Sequence, residues 1–220
     1  MNAHVVIAVR GGTAAKSRCA DRLNGRDREG LVQAMLVDML QALSRCSSVR
    51  TLHVVTQSPD IACTAERAGA SAILEPAPSD LNGAFEMARA RLTARHGNEL
   101  IAFLPGDLPL AAAHDVERLL ALASGEPKIV LAPADLDGGT AAVVHPADLP
   151  FPLAFGPNSF QRHQAAAHAG GFNLHVTHAG SLGFDVDHPG DLDLVVASAP
   201  HGCTATVARS LLAPRKPSHD

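Results

Sequence analysis

With 220 residues and 46% apolar content the chain can bury one substantial core, and with no Trp or Tyr and seven Phe that core is built from Ala, Val, Leu and Ile, which suits packed α/β layers. The formal charge of −4 and the scarcity of aromatic rings disfavour nucleic acid as a partner. Cys19, Cys46, Cys63 and Cys203 show no C-x-x-C spacing and no apolar run approaches the roughly 20 residues that cross a bilayer, so the expectation is a soluble cytoplasmic protein with reduced thiols and no membrane contact.

Apolar, β-branched runs then alternate with segments of helical period. Val5 to Val9 reads as a strand. A Gly-rich loop follows, then a helix near Asp27 to Leu43 with Leu31, Met35, Met39 and Leu43 on one face. Leu52 to Thr56 is the next strand, Asp60 to Ala68 the next helix with Gly69 as its stop, and Ala72 to Leu74 a short strand. Leu81 to His96 is a long helix closed by Gly97. Leu100 to Leu104 is a strand ending at Pro105, and His114 to Ala123 a helix. Ile129 to Ala132 and Thr140 to His145 are strands around an Asp-Gly-Gly turn. The loop between them is too short for a crossover helix, so the second can pair antiparallel. Asn158 to Ala169 is a helix, Leu174 to Thr177 a strand candidate, and Asp191 to Ala199 the last helix. The pattern predicts a mostly parallel sheet with helices on both faces and one antiparallel strand. A single domain is expected over 1–200. From about His201 the Pro, Arg, Lys and Ser content reads as a frayed tail, 201–220.

Two acidic motifs stand out, Leu104-Pro105-Gly106-Asp107-Leu108-Pro109 and Phe184-Asp185-Val186-Asp187-His188-Pro189, each after an apolar run that reads as a buried strand. Asp107 could cap a following turn, and Asp185 and Asp187 could be turn residues. Two like charges at i, i+2 on one strand face nevertheless call for a compensating cation, and hard oxygen ligands favour magnesium with phosphate as co-ligand. After the first strand comes Arg10-Gly11-Gly12-Thr13-Ala14-Ala15-Lys16-Ser17-Arg18. Its glycines let backbone amides approach a phosphate chain, and its cations add charge. It is neither a Walker A loop, because Ala15 stands where Gly is required, nor a G-x-G-x-x-G loop. Its plain alternative is a basic surface loop. Asp137-Gly138-Gly139-Thr140 reads as a turn into a strand. Gly156-Pro157-Asn158-Ser159-Phe160 reads as a helix start with a capping Asn or Ser, or as an anion site at exposed helix amides. The twelve histidines form no metal motif, and His163 and His168 read as solvated helix positions. Ser17 and Ser159 have no base nearby in sequence, which gives a nucleophilic hydrolase little support.

Taken in order, these motifs resemble the 2-phospho-L-lactate guanylyltransferase family of coenzyme F-420 biosynthesis. The resemblance runs from Ala15-Lys16-Ser17-Arg18 through Ala34-Met35-Leu36-Val37-Asp38, Leu81-Asn82-Gly83-Ala84, Gly106-Asp107-Leu108-Pro109 and Gly138-Gly139-Thr140. It continues in Phe155-Gly156-Pro157-Asn158-Ser159-Phe160 and Phe184-Asp185-Val186-Asp187, and ends at Pro189-x-Asp191-Leu192. It implies a Rossmann-like three-layer nucleotidyltransferase fold and transfer of GMP from GTP to a three-carbon phospho-acid with release of pyrophosphate. The acceptor would be phosphoenolpyruvate, 2-phospho-L-lactate or 3-phospho-D-glycerate. It further implies Mg2+ on Asp107, Asp185 and Asp187, with Thr140, Gly156 and Ser159 at the phospho-acid. Arg10, Gly11, Gly12, Lys16 and Asn82 would lie at the nucleotide, with Lys16, Arg18 and Asp107 in catalysis. Cys19 stands where the family carries Leu, and Arg10 where Lys is frequent. The alternatives are a molybdopterin-type nucleotidyltransferase and a catalytically inactive nucleotide-binding regulator. The acceptor is not legible, and a homodimer stays open.

Overall fold

The computed structural model describes residues 3–11, 16, 19–77, 79–126, 128–135 and 138–213. One sheet carries seven strands: β1 (Ala3–Val9), β2 (Val49–Thr56), β3 (Ser71–Leu74), β4 (Leu100–Pro105), β5 (Ile129–Pro133), β6 (Thr140–Pro146) and β7 (Leu174–Val176). Their order across the sheet is β3-β2-β1-β4-β6-β5-β7. All pairings are parallel except those of β6, which runs antiparallel to both β4 and β5, as the short connection before it requires.

The helices are α1 (Gly25–Leu43), α2 (Pro59–Arg67), α3 (Leu81–His96), α4 (Ala113–Ala123), α5 (Ser159–Ala169), α6 (Asp191–Ser198) and α7 (Cys203–Leu212). Strand alternation sorts their partners. Val5, Ile7 and Val9 of β1 and Ala102 and Leu104 of β4 face one core with α1, α2, α4, α6 and α7. Val6, Ala8, Ile101 and Phe103 face the other, with Phe85 of α3 and Ala167 of α5. Side-chain oxygens set the early helix starts: Asn24 accepts from Asp27 N, Ser58 from Ile61 N and Asp80 from Gly83 N. Gly97, at φ +62, ends α3 where a side chain would be strained.

The tail expected from His201 is instead helical over α7. Thr204, Ala205 and Ala208 are buried, and α7 packs on α1 and α6. The helix is capped from a distance: Asp38 of α1 accepts from Cys203 N and Thr204 N at 2.8 Å each. A cap supplied from 165 residues away leaves no local signal. The apolar run before Phe184 also differs from expectation. It is a 3-10 turn, Gly180–Leu182, followed by extended coil.

The chain lays down β1, β2 and β3 outward, then crosses back to place β4 on the other side of β1. Loops leaving β1 and β4 therefore diverge, and a crevice opens at the carboxyl edge between them. Among the described residues no helix is long and apolar enough to cross a membrane.

Candidate active site

That crevice is a cleft of about 490 Å³, of the size that small-molecule sites occupy. Its rim carries Arg10 and Lys16 from the β1 side and Gly106 and Asp107 from the β4 side. Gly156, Pro157 and Asn158 close a third side, and Asp187 a fourth. Val32 and Met35 of α1 add an apolar wall.

Asp107 sits one residue beyond the Gly106 turn. A Cβ at Gly106 would stand 2.6 Å from Val9 Cγ2 and 2.9 Å from Ala8 O, so β4 can leave the sheet this close to β1 only with glycine there. Asp185 and Asp187 reach the same spot without a strand, because Val186 N donates to Asp107 O and pins the extended segment alongside. Asp191, at the start of α6, holds the next residues by accepting from Asp187 N and His188 N at 2.8 and 2.6 Å. One carboxylate oxygen from each of Asp107, Asp185 and Asp187 lies within 4.8 Å of the others. Such an all-oxygen set fits a hard divalent cation.

A cationic group already stands among these oxygens. The Lys16 ammonium donates to Asp107 Oδ2 at 2.6 Å and to Asp187 Oδ1 at 3.4 Å, with its side chain 9% exposed. Burial pulls its pKa down, but the charges and hydrogen bonds of Asp107 and then Asp187 outweigh that, and the net shift is upward. Lys16 holds this place with φ +49, a left-handed backbone uncommon for a lysine. Cys19 is buried and its Sγ donates to Asp187 O, so it supports the acidic segment. Arg10 is anchored at the end of β1 by Nη1 on the buried Glu75 at 2.8 Å. Its Nη2 is buried without a partner among the described residues, which leaves a donor for a ligand oxygen. Gly11 lies against Ser58 and Ile61, where any side chain would clash. Gly12 and Arg18 lie outside the described residues.

The third side of the cleft rests on a buried polar chain that sequence reading missed. His163, expected to be solvated, is fully buried in α5, whereas His168 is exposed. Ala154 N donates to His163 Nε2 at 2.8 Å, so the ring proton sits on Nδ1 and points at Thr140 Oγ1, 2.9 Å away. Burial, reinforced by the Arg162 charge, lowers the pKa of His163 to about 4 and keeps it neutral. Ser159 Oγ donates to the same Thr140 oxygen at 3.1 Å. Two donors to Thr140 Oγ1 leave the threonine hydroxyl proton without a protein acceptor among the described residues.

Asn158 at the start of α5 is left-handed and makes no side-chain cap, contrary to the expected capping role, and Ser159 spends its hydroxyl on Thr140 instead. Gly156, at φ +120, makes the turn that leads into them. Asn82, expected at the nucleotide, uses both ends of its amide on the Phe155 backbone, at 2.7 and 3.0 Å. It is a strut that ties the start of α3 to the Phe155–Ser159 segment.

Residues 3–213 match a family model described as guanylyl transferase CofC like. A 3-phospho-D-glycerate guanylyltransferase from Phenylobacterium zucineum is 41% identical over 173 residues, 78% of this chain and 79% of the relative. A phosphoenolpyruvate guanylyltransferase from Sphaerobacter thermophilus is 36% identical over 206 residues, covering 93% of this chain and 98% of the relative. Among solved structures, a nucleotidyl transferase from Methanothermobacter superposes with a TM-score of 0.65 at 15% identity, over 94% of this chain and 98% of its own, a likeness of fold.

Proposed function

The chain belongs to the CofC-like guanylyl transferases, and from that premise we propose that it moves GMP from GTP to the phosphate of a three-carbon phospho-acid, in the service of coenzyme F-420 biosynthesis in the cytoplasm. The observation that carries this reading is the meeting of Lys16 with Asp107 and Asp187 in a cleft whose opposite wall is the Gly156–Asn158 turn.

In this reaction an acceptor phosphate oxygen attacks the α-phosphorus of GTP, the bond from that phosphorus to the β-phosphate bridging oxygen breaks, and pyrophosphate leaves. The attacking oxygen is already ionised near neutral pH, so no strong general base is required, which agrees with a site whose buried histidine is held neutral and proton-saturated on Nδ1. The barrier is repulsion between two anions and the charge that gathers on the leaving group. Mg2+ held by Asp107, Asp185 and Asp187 would supply charge neutralisation at the phosphates. Lys16 brings a buried positive charge to the same point, and Arg10 offers its free Nη2 to a phosphate oxygen. The Thr140 hydroxyl, with its proton left over, donates to the phospho-acid, and Gly156 lets the chain turn closely around it. Asn82 holds that wall in place through the Phe155 backbone.

Purified protein with GTP and Mg2+ is offered phosphoenolpyruvate, 3-phospho-D-glycerate and 2-phospho-L-lactate together, with pyrophosphate release measured and the guanylylated product identified by mass. One acceptor is expected to dominate. Absence of product from all three defeats the proposal.

A further inference from the structure

We infer that the opposite edge of the sheet carries a second, independent metal site, a His-His-carboxylate site for Zn2+ formed by His4, His96 and Glu99. His4, at the start of β1, is fully buried, and its Nε2 lies 2.7 Å from Glu99 Oε2. His96, the last residue of α3, places Nδ1 3.9 Å from that same oxygen, and its ring centre is 4.3 Å from that of His4. One ligand atom from each of the three lies within 4.8 Å of the others, so shifts of well under an ångström to about one bring them round an ion at ~2.0–2.2 Å. Imidazole and carboxylate donors together suit zinc rather than magnesium.

The surroundings are those of a built site. His4 Nδ1 is 2.6 Å from Thr51 Oγ1, and Thr51 Oγ1 is 2.7 Å from His53 Nε2. As the protein stands, His4 Nε2 donates to Glu99 Oε2 and Nδ1 accepts from the Thr51 hydroxyl. An ion would take the place of the Nε2 proton, and Thr51, turned to donate to His53, would then accept from Nδ1, the second nitrogen being fixed as it is in ligating histidines. The other Glu99 oxygen is held by Arg50 Nη1 at 2.9 Å, which orients the carboxylate. His96 and Glu99 remain about a quarter exposed, so an ion enters from solvent and a fourth position is left to water. β1 separates this cluster from the cleft by five residues, roughly 17 Å at the rise of a strand. Bound there, zinc would tie the end of α3 and the entry to β4 to the first residue pair of β1.

The test is Zn2+ titration of the chelator-treated full chain in excess Mg2+, read by calorimetry, with Co2+ absorption as the coordination signature. Wild type is expected to bind one Zn2+ at this site and to gain in melting temperature. Asp107→Asn should keep that binding, whereas His96→Gln and Glu99→Gln should lose it. All variants melt in chelator first, as a check on folding. Thr51→Val should weaken it about 10- to 100-fold through the His4 orientation. Undetectable Zn2+ binding in wild type, binding unchanged in both His96→Gln and Glu99→Gln, or binding lost in Asp107→Asn overturns the site. Guanylyl transfer is read by none of these measurements, so the outcome is separate from that of the proposed reaction.

Discussion

Replacing His163 with Leu removes one buried ring and gives two separable effects. At pH 8 the variant leaves Ala154 N–H without its acceptor, a loss of about 1–3 kcal/mol for a buried unpaired donor. The wild-type ring carries an opposite liability. Its folded pKa is lowered to about 4 from an ordinary 6.5, so the unfolded chain binds the proton more readily and stability falls as pH drops below 6.5. At pH 5 that linkage costs wild type about 2 kcal/mol, and the leucine variant none of it. The deficit of the variant at pH 8 should therefore close by pH 5. Urea midpoints at the two pH values measure it, with equal slopes as the control. In kinetics at pH 8 the variant should raise the KM of the phospho-acid several-fold and leave the KM of GTP unchanged, because the hydrogen bonds of the ring go to Thr140 and the Ala154 backbone, on the wall proposed for the acceptor. A deficit of the same size at both pH values, or a matching rise in the KM of GTP, refutes the reasoning.

Lys16→Met should lower kcat/KM by roughly 10²- to 10³-fold, the scale of a lost charge-stabilising donor, while Mg2+ titration of the GTP-free protein tightens because no ammonium competes for Asp107 and Asp187. Gly106→Ala should fold but displace Asp107, since the new Cβ meets Val9 Cγ2 and the Ala8 carbonyl, and kcat/KM should fall about 100-fold as for a misplaced group. Asp38→Ala should cost about 1–2 kcal/mol by uncapping α7, seen as a lower urea midpoint, with steady-state kinetics unchanged.

The strands and most helices were legible because their signals are local. Val5 to Val9 and Leu100 to Leu104 are continuous apolar runs, and both are buried on two faces. Gly97 closes α3 with a stop that reads directly from residue type. The three clustered aspartates were legible as motifs, and the structure brings them together, but not by the expected route. Asp185 and Asp187 arrive on coil pinned by the Asp107 carbonyl and by Asp191. What was hidden depends on partners distant in sequence. His163 looked solvated because nothing in Gln161 to His168 announces that Thr140 and Ala154 will close over it. The hold of Asn82 on the Phe155 backbone was hidden because the two are 73 positions apart. α7 looked like a tail because its cap lies in α1.

The charge in the cleft explains why Lys16 sits where it does. Three carboxylates gathered within 4.8 Å repel one another, and one ammonium offsets only part of that repulsion. The uncompensated remainder corresponds to two negative charges, which is what a single divalent cation neutralises. A site balanced in this way has no surplus positive charge for the triphosphate or the phospho-acid. In the proposed reaction those anions would be met by other groups, Arg10 with its unused Nη2 on one side and the Thr140 hydroxyl on the other. Under that proposal the acidic centre sets the place of reaction and the two flanks sort the substrates. On this arrangement, substitutions at Arg10 should act on GTP alone and those at Thr140 on the acceptor alone, and the identity of the phospho-acid is decided by the wall that His163 and Asn82 hold in position.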